Sequence, residues 1–515
     1  MQAGKNVKIL KIFLNRVFIT GILLIIQIAW LLYFILKLTR YSTIISIGFT
    51  ILSMAMVIYI INNEDNSSYK ISWIILIMLA PLFGGLFYFS FGDRKPAKRL
   101  RKRLNATHVI MQPYYQQEKN IITELIRKNE REAGICQYIL NRGEFPVYKN
   151  TTSKYYSVGE EMYQDILLEL ENAKHFIFLE YFIIAQGTMW NTILEILERK
   201  VAQGVDVRLI YDDVGSVFSL PKGYEKTMEA KGIKCLAFNP FIPFFSLVMN
   251  NRDHRKIMVI DGHTAFNGGI NLADEYINQL KRFGHWKDTG VMIKGNAVWN
   301  FTLMFMELWI AFKDVDVDIE KLRPHTYHKD PFDSDGYVLP FSDSPLDSET
   351  LGENIYIEII NLAKKYLYIF TPYLIIDDEM KAALCLAAKR GVDIRIVTPG
   401  IPDKKIVYRL TRSNYAPLLK AGIKIYEYTP GFIHAKSFVC DDDIAVVGTI
   451  NMDYRSLYLH FECGTYLYHT TSILNLKKDC VSTMKKSREI KKGDIKEGLF
   501  GRLIDATLRL FSPLL

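Results

Sequence analysis

One polar pattern occurs twice in this chain, and it limits the possible fold more than any other feature. His254-Arg255-Lys256 is followed by Asp261, Gly268-Gly269 and Asn271. His434-Ala435-Lys436 is followed by Asp441, Gly448-Thr449 and Asn451. Both copies read H-x-K-x4-D-x6-G-[GT]-x-N, and corresponding positions are 180 residues apart. A single copy is weak evidence, since a lone histidine is more often an ordinary core or surface residue. Here further signals recur around the pattern. Ala173-Lys174 before HFIFLEY returns as Ala363-Lys364 before YLYIFTPY, Gly204-Val205-Asp206-Val207-Arg208 returns as Gly391-Val392-Asp393-Ile394-Arg395, and Gly232-Ile233-Lys234 returns as Gly422-Ile423-Lys424. A repeat this long is a duplicated domain rather than a solenoid. Strand-like runs at 176–181, 207–211, 366–370 and 394–397 alternate with helical stretches, so each copy is expected to be an α/β unit.

The residue types fit phosphate chemistry. On a strand, alternate side chains share a face, so the His and Lys of H-x-K project into the same pocket. The Gly-[Gly/Thr]-x-Asn segment allows close backbone approach to a ligand and adds an amide donor. Two such units give two His, two Lys and two Asn around one point. The lysines can neutralise phosphoryl oxygens while the histidines act from opposite sides. No carboxylate or Cys/His cluster stands out for a metal, and none of the six cysteines forms a C-x-x-C pair, so neither metal nor cofactor is expected. Six scattered cysteines read as reduced thiols facing a cytoplasm.

The first ninety residues differ from the rest. Three apolar runs, 17–36, 41–61 and 71–91, are each long enough to cross a hydrocarbon core of ~30 Å, the second and third being the firmer spans. A dense basic run from Arg94 to Arg103 follows, which places the remainder in the cytoplasm. The net charge of +9 suits either nucleic acid or an anionic membrane. The anchor, and the aromatic run 238–245 with two prolines and four phenylalanines, favour lipid and argue against nucleic acid. The expected organisation is a membrane anchor over 1–92, a basic linker over 93–134, a first unit over 135–330 and a second over 331–515. The last unit ends in an amphipathic helix that either lies on the membrane or caps the domain, with Leu499, Phe500, Leu503, Ile504, Leu508 and Phe511 on one face.

The duplicated pattern resembles the two HKD motifs of the phospholipase D superfamily. A narrower resemblance is to bacterial cardiolipin synthases. It is carried by Asn251-Arg252-Asp253-His254-Arg255-Lys256-Ile257, Trp286-Lys287-Asp288-Thr289, Gly431-Phe432-Ile433-His434-Ala435-Lys436-Ser437 and Asn451-Met452-Asp453-Tyr454-Arg455-Ser456, and covers nearly the whole chain. One departure is His460-Phe461-Glu462, where the family commonly has Asn-Phe-Glu. The resemblance implies two phospholipase D-like units packed as a pseudo-dimer around one site. It further implies phosphatidyl transfer between two phosphatidylglycerols through a phosphohistidine, with His254 as nucleophile and His434 as acid and base. The Lys and Asn residues would bind phosphoryl oxygens, and Asp261 and Asp441 would be structural. An acid some thirty residues downstream would orient each histidine. Asp288 lies 34 residues after His254, and Glu462 lies 28 after His434. Other readings are a hydrolytic phospholipase D, a phosphatidylserine synthase, a nuclease, and a non-enzymatic membrane scaffold.

Overall fold

The computed structural model describes residues 43–63, 65–80, 98–240, 250–313, 318–346, 349–495 and 498–514, with isolated positions between 28 and 92. The chain forms two compact units. One comprises Met1–Arg94, Pro240–Asn250 and Leu510–Leu515, the other Lys95–Asn239 and Asn251–Arg509.

In the smaller unit, helix Thr43–Asn62 is followed by helix Ser67–Leu79, whose N-cap Asn66 accepts from the Ser68 amide at 3.0 Å. Met56, Ile60, Tyr69, Trp73, Ile77 and Tyr88 pack between them. Ile51, Ile58, Met78 and Leu79 face outward. The second helix has 13 residues, and the first has 20 but its initial side chains are not all described. Among the described residues no helix is long and apolar enough to cross a membrane. The run 17–36 and most of the aromatic loop 238–245 lie outside the described residues. Phe238 itself ends a strand and is fully buried, so that residue belongs to a core and not to an exposed loop.

The larger unit holds two mixed sheets. The first contains β1 (Thr151–Tyr156), β2 (Phe176–Tyr181), β3 (Asp206–Asp212), β4 (Lys234–Phe238), β5 (Lys256–Ile260), β6 (Thr264–Gly268) and β8 (Gly290–Gly295), with the short β7 (His285–Lys287) outside it. The second contains β9 (Tyr337–Asp343), β10 (Tyr366–Phe370), β12 (Asp393–Pro399), β13 (Lys424–Tyr428), β15 (Ser437–Cys440), β16 (Ile444–Gly448), β18 (Glu462–Tyr468) and β19 (Ser487–Ile490). Short strands β11 (Leu374–Ile375), β14 (Gly431–Ile433) and β17 (Met452–Asp453) lie outside it. Strand order is β1-β8-β6-β5-β2-β3-β4 in one sheet and β9-β18-β16-β15-β10-β12-β13-β19 in the other. The two halves therefore share one topology, with β19 added at an edge.

The repeated sequence signals meet in space. Asp206 accepts from Arg208 Nε at 3.0 Å and Lys234 Nζ at 2.7 Å; Asp393 accepts from Arg395 Nε at 2.9 Å and Lys424 Nζ at 2.9 Å. The duplicated G-V-D-[VI]-R and G-I-K segments are thus neighbouring strands tied by the same ion pairs. Gly204 and Gly391 before these strands adopt φ of 89° and 101°, which a side chain would strain.

Sequence reading placed a basic linker over 93–134. The fold instead puts helices Lys98–Met111 and Lys119–Lys128 against the core through Leu100, Leu104, Met111, Ile121 and Leu125. Spacings of four and seven residues gather these apolar side chains on one face and leave the basic residues outside. Likewise the first half begins its sheet only at Thr151, after helix Glu130–Gly143. Helix Val298–Phe312 is buried on nearly every side, as its apolar sequence requires.

Candidate active site

The two HKD patterns come together in one site because each half lends a strand to the other. The segment before His254 pairs with the segment before Glu462: the His254 amide donates to Phe461 O and the Phe461 amide to Arg252 O, both at 2.9 Å. On the other side β14, which precedes His434, runs parallel to β7, which precedes Asp288, and the His434 amide donates to Lys287 O at 2.7 Å. Across the same seam Thr289 Oγ1 and Ser437 Oγ lie 2.8 Å apart, and Asn267 contacts Thr465 and Cys463.

This exchange decides which acid serves which histidine. His254 Nδ1 lies 2.9 Å from both Glu462 oxygens, and His434 Nδ1 lies 2.7 Å from Asp288 Oδ2. Distance along the chain suggested the opposite pairing. The carboxylates cross because β18 and β7 are drawn to the partner half's motif, not their own. Both acids are fully buried.

The lysines sit within the same enclosure. Lys256 Nζ donates to His254 O at 2.6 Å, and Lys436 Nζ donates to His434 O. Each is about 1% exposed. Burial pulls Lys256 down to about 8 and Lys436 to about 7. Burial also lowers both histidines, and the ammoniums add to it: His254 falls well below its ordinary value, and His434 falls to about 4 despite Asp288. Burial alone would raise Asp288, but the His434 ring and the Lys436 ammonium outweigh it and hold its carboxyl below the usual range. The empty site therefore holds two neutral imidazoles in a positive field.

The motif aspartates lie away from this chemistry. Asp261 accepts the backbone N–H groups of Lys174, His175 and Phe176 at 2.7–2.9 Å, and Asp441 those of Lys364, Lys365 and Tyr366 at 2.6–2.8 Å. Each staples the turn before β2 or β10, which explains why Ala-Lys precedes both strands in the repeat. The motif asparagines differ. Asn271 accepts from the Ile183 amide at 2.9 Å and donates to Tyr276 Oη at 2.6 Å, whereas Asn451 Oδ1 is buried without a partner.

The glycine segment approaches protein, not ligand. A Cβ at Gly268 would stand 2.4 Å from Thr289 O, and one at Gly269 would stand 2.1 Å from Asp288 Oδ1. Thr449 replaces the second glycine in the other half, and its hydroxyl donates to Glu462. Thr449 was visible in the sequence as the one mismatch of the pattern, but its partner was not.

Aromatic and histidine neighbours were also missed as parts of the site. Phe182 and His460 flank His254 at ring distances of 4.9 and 5.6 Å; Trp286, Tyr276 and Phe432 flank His434 at 5.4, 5.5 and 5.9 Å. His460 stands two residues before Glu462 as Trp286 stands two before Asp288. Both His460 ring nitrogens and Trp286 Nε1 are buried without a hydrogen-bond partner. Burial lowers His460 to about 4. His254, His460 and Glu462 bring potential ligand atoms within 4.8 Å of one another, a cluster the sequence reading did not foresee. Glu462 is engaged by His254 and Thr449, and two ammoniums share the enclosure, so the setting opposes a cation. The six cysteines are unpaired.

A duplicated α/β fold with two H-x-K sites merged by strand exchange defines an enzyme of the phospholipase D type. A family model described as "Cardiolipin synthase, PLD-like domain" matches residues 166–299 and 356–482, and one described as "Phospholipase_D-nuclease N-terminal" matches 51–92. The chain is 34% identical to a cardiolipin synthase of Alkalihalophilus pseudofirmus over 92% of its own length and 94% of the relative's, and 35% identical to one of Geobacillus sp. over 90% and 92%. It is 46% identical to an uncharacterized protein of Streptococcus mutans over 89% of this chain and 99% of that one. The crystal structure of a phosphatidylserine synthase from Haemophilus influenzae shares the fold, with a TM-score of 0.55, 14% identity and coverage of 74% of this chain and 97% of that one. The chain belongs to the cardiolipin synthase family of the phospholipase D superfamily.

Proposed function

We propose that this protein is a cardiolipin synthase of the cell membrane that converts two phosphatidylglycerols into cardiolipin and glycerol. One imidazole, assigned to His254 by family resemblance, attacks phosphorus as the bond to the first glycerol breaks. The other, His434, gives that glycerol oxygen its proton. A hydroxyl of the second phosphatidylglycerol then passes its proton to the same His434 as its oxygen attacks phosphorus, and the P–N bond breaks. Lys256 and Lys436 neutralise the phosphoryl oxygens, and Asn271 and Asn451 bind them. Glu462 and Asp288 hold the tautomers of His254 and His434. The entering phosphodiester anion offsets the field of the lysines and raises the imidazoles, so that one can carry the proton that the leaving glycerol needs.

The observation that carries this reading is the crossed pair of carboxylate–histidine contacts within one lysine-lined enclosure. The apolar runs 41–61 and 71–91 are proposed to cross the membrane, with the catalytic part on the cytoplasmic side behind the basic run. Outward-facing Ile51, Ile58, Met78 and Leu79 support lipid around the smaller unit. The test is purified full-length protein in phosphatidylglycerol vesicles, with products followed by mass spectrometry. Cardiolipin and glycerol in equal amounts are expected; phosphatidic acid as the main product would make the enzyme a hydrolase.

A further inference from the structure

The C-terminal helix is turned the wrong way for a simple cap. In helix Leu499–Phe511 the buried residue is a carboxylate: Asp505 accepts from Arg409 Nε at 2.5 Å, and Arg409 Nη2 donates to Gly501 O at 3.1 Å. Leu508 follows it inward, against Ile375, Leu410 and Tyr454. The apolar residues of the first turns point the other way. Leu499 is 88% exposed, Phe500 75% and Leu503 64%. The neighbouring helix Lys405–Ser413, which carries Arg409, adds Ile406 at 59%. Large apolar side chains outside and a carboxylate inside are not what water selects for.

The surroundings of this ridge are basic. Lys404, Lys405, Arg502 and Arg509 are exposed on the same two elements. The nearby acids are turned away, Asp505 to Arg409 and Asp403 to Tyr373 Oη at 2.6 Å. The ridge also borders the active site: Lys404 Nζ lies 5.7 Å over the ring of Tyr373, and its charge is felt at His254.

We propose that Leu499, Phe500, Leu503 and Ile406, with Lys404, Lys405 and Arg502 around them, dock the catalytic unit onto an anionic bilayer beside the mouth of the site. This rests on the reading of the substrates as membrane phospholipids. Such lipids keep their acyl chains in the bilayer, so a buried site can reach the phosphate only if its mouth lies at the interface. An apolar wedge ringed by lysine and arginine is the chemistry that an anionic lipid surface retains.

The test uses the full chain in bilayer nanodiscs, with a nitroxide at Leu503→Cys in a Cys385→Ser background, the other cysteines being buried. In phosphatidylglycerol discs the label is expected to be open to oxygen and shielded from a water-soluble nickel relaxer, and less so in phosphatidylcholine discs. Equal access to nickel in both would overturn the proposal. So would shielding from oxygen and nickel together, which would mean that a protein surface or a second copy covers the ridge. This readout does not depend on turnover, so a failed transferase reading and a failed docking reading are separable. A second arm compares Phe500→Glu/Leu503→Glu with the parent. Turnover on bilayer phosphatidylglycerol is expected to fall at least tenfold, with turnover on dispersed short-chain phosphatidylglycerol unchanged. An equal loss on both substrates, or no loss on either, would contradict docking.

Discussion

Lys256 and Lys436 are charged groups that the fold holds under strain, and their titration is the first place where the site can be read. Burial has already lowered them to about 8 and about 7, so in the free enzyme the phosphate-binding charge is lost as pH rises through that range. The kcat/KM profile should therefore fall on an alkaline limb between about pH 7 and 8. The limb in kcat should lie higher, because a bound phosphodiester stabilises the ammoniums. Coincident limbs would speak against lysine as the group that meets the phosphate. The crossed acids give a second expectation. Glu462→Gln should alter the imidazole nitrogen shifts of His254, and Asp288→Asn those of His434, each with a kcat loss of about 10²–10⁴-fold. A response in the histidine of the same half would restore the pairing that chain distance suggested. Because lysines, not a metal, face the phosphate, activity should survive EDTA; loss on chelation with rescue by a divalent ion would reopen the cluster of His254, His460 and Glu462. The histidines, lysines and both acids could be found in the sequence because the duplication repeats their chemistry at fixed offsets. The partner of each acid could not, since it depends on a strand crossing between halves that leaves no local signature.

At the scale of elements, two small differences between the halves matter. Gly269 leaves room for Asp288, while Thr449 hydrogen-bonds Glu462. Gly269→Ala should push the Asp288 carboxylate off His434 and cost about a hundredfold in kcat, with helix and strand content unchanged by circular dichroism. Wild-type turnover would show that the acid can move without consequence. The motif aspartates should behave otherwise. Asp441→Asn removes the charge that three backbone amides point at, so stability should drop by about 2–3 kcal/mol in urea melts. Activity per folded molecule should be retained, and a catalytic loss at unchanged stability would place Asp441 in the chemistry. Elements were legible where periodicity was strong, as in strands 366–370 and 394–397 and the terminal amphipathic helix. The helices after residue 97 were not, because their many basic residues read as a linker while the spaced Leu100, Leu104 and Met111 that bury them are few. The terminal helix shows the reverse limit: its apolar stripe was plain, but only tertiary contacts of Asp505 and Leu508 show which side meets protein.

On the scale of the whole molecule, two sheets of the same strand order meet so that neither half holds a complete site. His254 is oriented from the second half and His434 from the first. The duplication told of two halves, yet their union required the pairing of β14 with β7 and of Asp253 with Phe461, which no repeat period contains. The central claim is that this joined site carries a covalent phosphatidyl group between two lipids. Its most direct measurement is a rapid alkaline quench of the full-length protein turning over phosphatidylglycerol labelled in its phosphate, followed by peptide mapping. The label should appear on His254, persist when His434 is replaced by Ala, and vanish when His254 is replaced. Label on His434 would exchange the two roles, and an unlabelled protein that still makes cardiolipin at full rate would contradict the covalent route.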